Sequence, residues 1–509
     1  MLLSSGLLLS AYVALAVVIV VWNVAVTGRI VANRRAPQLL SALTTFGALL
    51  LIPGLIVAVS AASIVYGRAI QPIAWLWPFV TTLFALQAVV ALARRLVNPV
   101  LGLPILAYDA IVAIVAVTRF LNGRGITPPE FALMLSAAQS RALGVIGGTA
   151  ALSNAMWLFV PLFSPARPSR SRLKLLLRTV LAASVTVAMA LVVIQLPAAI
   201  ETVRSYARYE QAPLQERPAG DFAIGLKVFP ELRSSPPPLA IINDLPLADS
   251  LGVDAISVVV DPEAARGKAL DSLAHALDNV RDDSTMLIIT LGYSNDARAL
   301  VAKAPGAYVD DRIADVNRLA RTLRPNVIIP AHEPYGEGER VLGAKPPQFW
   351  IDYIRRAAIV AHHVNPNIRV GVAAASYGRL DSTLYAWAAS RGAPVDVVGF
   401  SLMPGFDGAT SLDTHMRIAR RWMRMYDRPK PHWVWSAGGY PIAHGEQSQV
   451  LALRGVFSWA TAQPEIEEII VTEAGDYDAQ RGLRAPGGRL RPALGEVVRA
   501  INGLRESAR

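Results

Sequence analysis

Apolar residues are distributed in two different ways along this chain. Up to about residue 200 they run in long unbroken stretches, at 3–26, 39–66, 70–93, 99–118, 142–163 and 179–199. Each stretch supplies the roughly 20 residues a helix needs to cross a hydrocarbon core, so six transmembrane helices are expected. The first stretch has no basic n-region and is too long for the apolar part of a secretion signal, so it is expected to stay as a helix. Residues 129–138, in the loop before the fifth stretch, could form an interfacial helix. From 201 to 220 the composition turns polar, with Pro213 and Pro218, and reads as a stalk.

Beyond the stalk the apolar runs are short and β-rich, and helix-patterned segments separate them. Eight such runs occur, at 222–229, 253–260, 285–291, 326–330, 368–375, 395–401, 432–436 and 468–472. Between them Leu270, Leu273, Leu277 and Val280 share one helical face, and Ile313, Val316, Leu319 and Leu323 share another. Strand and helix alternating eight times predict a closed (β/α)8 barrel. A doubly wound open sheet would need a Gly-rich phosphate turn after an early strand, and FPELRSSPPP after the first is nothing like one. The expected organisation is a six-helix membrane domain over 1–200, a stalk over 201–220 and a barrel over 221–509.

Composition agrees, since 53% hydrophobic with 17% charged residues is too apolar for one ordinary soluble fold. The net charge of +11 invites a nucleic-acid reading until it is divided at residue 200. The first part holds fourteen Lys and Arg against only Asp109 and Glu130, while the rest is nearly balanced. The basic excess therefore belongs to the membrane half, and nucleic acid is not implied. Ten basic residues follow stretches one, three and five, among them Arg34, Arg94 and Arg172, whereas Arg68, Arg119, Arg124 and Arg141 follow two and four. The positive-inside rule then puts the first set in the cytoplasm, and the C-terminal domain outside the cytoplasmic membrane. With no cysteine in the chain, disulfides, thiolate zinc sites and cysteine nucleophiles are excluded.

Two places could carry chemistry. Asp109 is the ionisable residue deep inside a stretch, where a carboxyl is costly unless paired, protonated or lining a cavity; the alternative is a hydrogen bond that serves helix packing. The second place is the rim formed by the C-terminal strand ends of the barrel, where working residues of this architecture sit. It collects Lys227, Tyr293, His332, Glu333, Tyr377, Tyr440, Glu473 and Asp476. Carboxyls with aromatic rings suit a carbohydrate, whose ring faces stack and whose hydroxyls hydrogen-bond.

The motifs His332-Glu333-Pro334 and Ala437-Gly438-Gly439-Tyr440-Pro441 resemble those of the clan A glycoside hydrolases, in particular small barrels acting on β-1,3-glucan or galactan. That family places its acid/base Glu in Asn-Glu-Pro after strand four and its nucleophile Glu in Glu-Thr/Ser-Gly-Tyr/Trp-Pro after strand seven. The resemblance, which extends to VDVVGFSLMP as a sixth strand and to 473–478 as an eighth, makes Glu333 the acid/base and His332 a hydrogen-bonding partner for a sugar hydroxyl. The nucleophile position is Ala437, which cannot attack. A retaining glycosidase needs its carboxyls about 5–5.5 Å apart and an inverting one about 6.5–9.5 Å around a water. Glu473 at the next strand end is the nearest replacement, with Asp476 and Glu446 behind it. Trp433 and Trp435 fall on one side of their strand and read as core. Glu337 and Glu339 read as solvated, His362-His363 as helix-end dipole compensation, and Arg417–Arg424 as part of a solvated outer helix.

The expected function is that of a membrane-anchored glycoside hydrolase-like protein acting on or guiding a polysaccharide, with no cofactor and no metal. The alternative is a catalytically silent glycan-binding scaffold whose helices partner a polysaccharide synthase or exporter. A transporter using Asp109 as a relay has little support without a visible repeat.

Overall fold

The structure is a computed structural model describing residues 5–33, 35–61, 71–122, 124, 126, 128–147, 160–165, 172–229, 238–278, 285–294, 297–404, 409–426, 430–441, 445–477 and 481–507. It divides into two compact units, one built on residues 1–205 and one on 206–509 apart from two short excursions.

The first unit contains α1 (Ser5–Val31), α2 (Gln38–Ala61), α3 (Leu76–Ala93), α4 (Pro99–Asn122), α5 (Glu130–Gly147) and the start of α6 (Arg172–Ala207). Among the described residues five helices are long and apolar enough to cross a membrane, namely all of these but α5. Their outer faces carry Val21, Leu49, Val100 and Ile194, each more than 60% exposed. Such a surface suits lipid, which hides apolar side chains that water would penalise. Inside, Trp22, Phe84, Tyr108 and Phe163 pack in one apolar cluster. The fifth predicted stretch is corrected at its C-terminal end: 142–147 finish α5, 148–159 lie outside the described residues, and 160–164 are not helical. The helix anticipated over 129–138 continues as α5 to Gly147.

The second unit is a closed parallel barrel with strands in the order β1 to β8. They are β1 (Ala223–Lys227), β2 (Ala255–Val260), β3 (Met286–Leu291), β4 (Val327–Ile329), β5 (Arg369–Ala374), β6 (Val397–Leu402), β7 (His432–Ala437) and β8 (Ile466–Val471). Each lies within or against one of the eight apolar runs of the sequence. The ring closes where Gly225 of β1 pairs with Ile470 of β8. Ile288, Ile329, Val397, Trp433, Trp435 and Ile470 fill its interior. Room for the indoles comes from missing side chains. A Cβ at Gly399 would fall 2.0 Å from the Trp433 carbonyl and 2.6 Å from Trp435 Nε1, and one at Gly371 would fall 2.8 Å from the Trp435 ring.

Residues 206–217, read from sequence as stalk, pack on the barrel. Tyr206 donates its hydroxyl to the Ser448 carbonyl at 2.5 Å and Tyr209 donates to Asp413. The Arg217 guanidinium bonds the carbonyls of Gln463 and Ile466 at 2.9 and 3.1 Å and pairs with Asp221 at 2.7 Å, closing the start of β8.

Candidate active site at the C-terminal rim of the barrel

Parallel strands all deliver their C-terminal ends to one rim, so residues far apart in sequence meet there. Glu333 follows β4 in a tight turn in which its carbonyl accepts the N–H groups of Gly336 and Gly338 at 2.9 and 3.0 Å. Its φ is +41°, a strained value for a side-chain-bearing residue, and Tyr377 after β5 has φ +57°. Gly336 leaves space for the carboxylate, whose Oε2 stands 3.0 Å from where a Cβ would be. The other oxygen, Oε1, accepts a hydrogen bond from Ser401 Oγ at 2.5 Å. Tyr377 donates its hydroxyl to the Ser401 carbonyl at 3.0 Å and stacks on His415 with centroids 4.3 Å apart. The loop holding Tyr377 is organised by Asp381, whose Oδ2 accepts the N–H groups of Ala375, Ser376 and Tyr377 at 2.8–3.0 Å. Burial raises the Asp381 carboxyl to about 6, and those three bonds pull against the rise.

Glu473 follows β8 and is 3% exposed. Thr472 N donates to the Ala437 carbonyl at 2.8 Å and Ala474 N to the Lys227 carbonyl at 2.9 Å, which fixes Glu473 between the ends of β7 and β1. Arg481 donates to Glu473 Oε1 at 3.1 Å. The same guanidinium donates to the Tyr440 hydroxyl, and Tyr440 lies within electrostatic reach of both Glu333 and Glu473. Burial is the largest influence on the Tyr440 phenol and raises it, so the group stays a neutral hydrogen-bond donor at ordinary pH. Ala437, the last residue of β7, is fully buried and offers only a methyl group there.

The other sequence candidates divide. Lys227 ends β1 and is 3% exposed; Pro230 beyond it, and Gly405 after β6, lie outside the described residues. His332 faces Glu337, Nε2 to Oε2 at 3.5 Å, and Glu337 also accepts from Arg340 at 2.7 Å. Glu337 is thus partnered rather than solvated, because the short helix Glu337–Leu342 turns it back over the loop. Tyr293 packs instead beneath the rim, edge-on to Trp350 and with the Arg312 guanidinium 4.9 Å from its ring centroid. Asp476 is held in a fully buried bidentate pair with Arg491 at 2.6–2.9 Å and also accepts Gly482 N–H at 2.7 Å. Glu446 pairs with Arg489 and His362 with Asp396. Trp433 and Trp435 sit in the barrel interior. Asp109 belongs to the other unit, where it accepts the Leu162 N–H at 2.9 Å. No group of three or more metal-ligating side chains is assembled among the described residues.

Sequence reasoning missed Ser401, Arg481, Asp381 and Arg491. Ser401 was legible as a strand-end hydroxyl on β6. Arg481 carried no signal, being one Arg of several in a loop whose path only the fold decides.

No family model and no curated protein matches this sequence. Solved structures similar to it include an exo-β-1,4-mannosidase from an Opitutaceae bacterium, strain TAV5. It has 13% identity and a TM-score of 0.43 over 58% of this chain, and the chain spans only 62% of its length. A monomeric β-xylosidase from Caulobacter crescentus is similar at 13% identity and TM-score 0.42, covering 56% of this chain and 69% of its own. A β-glucuronidase from Ruminococcus gnavus shows 10% identity and TM-score 0.40, covering 55% and 50%. Similarity at this level brings no activity or substrate with it.

Proposed function

We propose that the chain is a membrane-anchored glycoside hydrolase-like protein whose barrel, on the outer side of the cytoplasmic membrane, acts on a polysaccharide. The observation that supports this reading is that two carboxyls at distant strand ends are each held by a side-chain donor, Glu333 by Ser401 Oγ at 2.5 Å and Glu473 by Arg481 at 3.1 Å. In an inverting scheme Glu333 gives its proton to the leaving glycosidic oxygen as the bond to the anomeric carbon breaks. Glu473 takes a proton from a water whose oxygen attacks that carbon from the opposite face. The Arg481 bond favours Glu473 as the carboxylate a base must be, and the Ser401 bond holds the acid in place. His332, Tyr377, Lys227, Tyr293 and Asp476 complete or brace the pocket wall in this reading. The outward placement rests on the distribution of Arg and Lys between loops.

Ala437 favours a second reading, a glycan-binding scaffold without turnover whose helices engage a polysaccharide synthase or exporter. The five apolar helices among the described residues already exceed what an anchor requires. The detergent-solubilised full chain, incubated with β-glucans, galactans and acidic exopolysaccharide beside Glu333→Gln and Glu473→Gln, separates the two. Cleavage abolished by either substitution supports the enzyme; saturable binding without cleavage in all three proteins supports the scaffold.

A further inference from the structure

The helix Ala409–Met425 connects β6 to β7 on the outside of the barrel. Leu412, Met416, Ala419, Trp422 and Met423 are buried along it, at spacings that put them on one face. Arg417, Arg421 and Arg424 are exposed on the opposite face, again three and four apart, and Met425 beside them is 56% exposed. Other outer arginines of the barrel face acids: Arg318 pairs with Asp315, Arg356 with Asp310, Arg454 with Glu496 and Arg489 with Glu446. Among the described residues Arg417, Arg420, Arg421 and Arg424 form no ion pair, and Arg417 donates to the Thr414 hydroxyl at 3.4 Å. A row of unneutralised arginines on one face of an amphipathic helix is what an anionic surface attracts.

The path of the chain says which surface is within reach. Asp413 stands one helical turn before Arg417, hence on the arginine face, and it accepts the hydroxyl of Tyr209. Tyr209 lies near the end of the apolar span Ala182–Gln211. From Glu201, the first charge after the sixth apolar stretch, eight residues lead to Tyr209, a helical rise of about 12 Å. The polar layer of one leaflet extends roughly 5–8 Å beyond the hydrocarbon, and a surface charge acts over a further ~10 Å at 0.1 M salt. The arginine face therefore starts within electrostatic reach of the headgroups.

We propose that Arg417, Arg421 and Arg424 form a docking surface for anionic phospholipid headgroups, which holds the barrel against the bilayer. Guanidinium groups suit this task because their planar forks bind phosphate oxygens in pairs. Met425 adds an apolar contact at the edge of the same face. This attachment is independent of whether the rim cleaves glycan.

The chain has no cysteine, so Met425→Cys accepts a single fluorophore. The full chain is placed in nanodiscs of phosphatidylcholine, alone or mixed with phosphatidylglycerol, each containing a lipid with a quencher on its headgroup. Strong quenching is expected with phosphatidylglycerol and weak quenching without it. Raising the salt to 1 M, where the screening length falls to about 3 Å, should remove the difference. Replacing Arg417, Arg421 and Arg424 by Gln one after another should lower the docked-to-free ratio about fivefold at each step, with the melting temperature unchanged. A fluorophore at Ser272→Cys, on the helix Lys268–Asp278 half-way round the ring, should stay unquenched. Equal quenching in the two lipid mixtures, quenching that survives all three substitutions, or equal quenching at Ser272→Cys overturns the proposal. A Met425→Cys fluorophore that responds to soluble alginate and not to phosphatidylglycerol also overturns it, and makes the partner an acidic polysaccharide.

Discussion

Ser401 gives its hydroxyl to Glu333 Oε1 across 2.5 Å, and its carbonyl takes the hydroxyl of Tyr377 at 3.0 Å. One residue at the end of β6 therefore fixes two side chains that follow β4 and β5, both at residues of positive φ. A carboxyl poised for proton transfer needs such support, because a misplacement of an ångström lowers the rate steeply.

If the barrel cleaves glycan, Ser401→Ala should lower kcat by about tenfold, or ~1.4 kcal/mol in the transition state, with KM little changed. Ser401→Thr keeps the hydroxyl and should restore most of the rate. Steady-state kinetics on the best polysaccharide substrate, with thermal melts to confirm folding, check this. An Ala variant as fast as the unsubstituted protein would remove Ser401 from the site.

A second carboxyl makes stability depend on pH. Glu468 shares the inward face of β8 with Ile470, by the alternation of a strand, and is 1% exposed. Neither of its oxygens has a hydrogen-bond partner among the described residues. Burial raises the carboxyl to about 8 from 4.5, with Arg369 opposing the rise. The folded state therefore holds this proton more tightly than the unfolded chain. Its stabilising effect is full below the unfolded value, declines as pH rises between 4.5 and about 8, and is gone above that. Glu468→Gln cannot ionise, so its melting temperature should exceed that of the parent by a margin that widens from pH 5 to pH 8. A margin that stays flat over this range would show that Glu468 is already ionised in the fold.

The barrel interior offers a steric test. At Gly399 a methyl group would meet the main-chain carbonyl of Trp433, which cannot swing aside as a flexible side chain could. Gly399→Ala should cost about 1–3 kcal/mol or more through overpacking, read as a lowered melting temperature. Gly392→Ala, in open space, is the control and should change little.

The eight strands were legible because each is a short β-rich run bounded by turns, and parallel strands buried on both faces keep that signature whatever their neighbours. The rim carboxyls were legible for the same reason: a strand's end can be read locally. The partners of those carboxyls were not. Asp476 looks like Glu473 in sequence, yet one is locked in a buried pair with Arg491 and the other accepts from Arg481, a difference decided by where those two arginines are brought in space. The fifth apolar stretch misled because length and hydropathy judge side chains alone. Residues 160–164 meet the demand for backbone hydrogen bonds through Asn23, Gln87, Tyr108 and Asp109, which no single-stretch reading can anticipate.

That arrangement makes a prediction about cooperativity. Asn23→Ala leaves the Pro161 carbonyl and the Phe163 N–H without partners, and Gln87→Ala does the same to both backbone groups of Ser164. Each orphaned group costs about 1–3 kcal/mol if the segment stays seated in an apolar bundle. The segment has no backbone partner of its own among the described residues, so losing one amide should be enough to release it. Once it is released, the second amide has nothing left to hold. The double variant should therefore melt, in detergent, only slightly below the worse single variant, giving a large coupling energy between residues 64 positions apart. Additive losses would mean that the segment remains in place with four unsatisfied groups, held by the packing of Phe163 against Phe84 at 3.9 Å rather than by the amides.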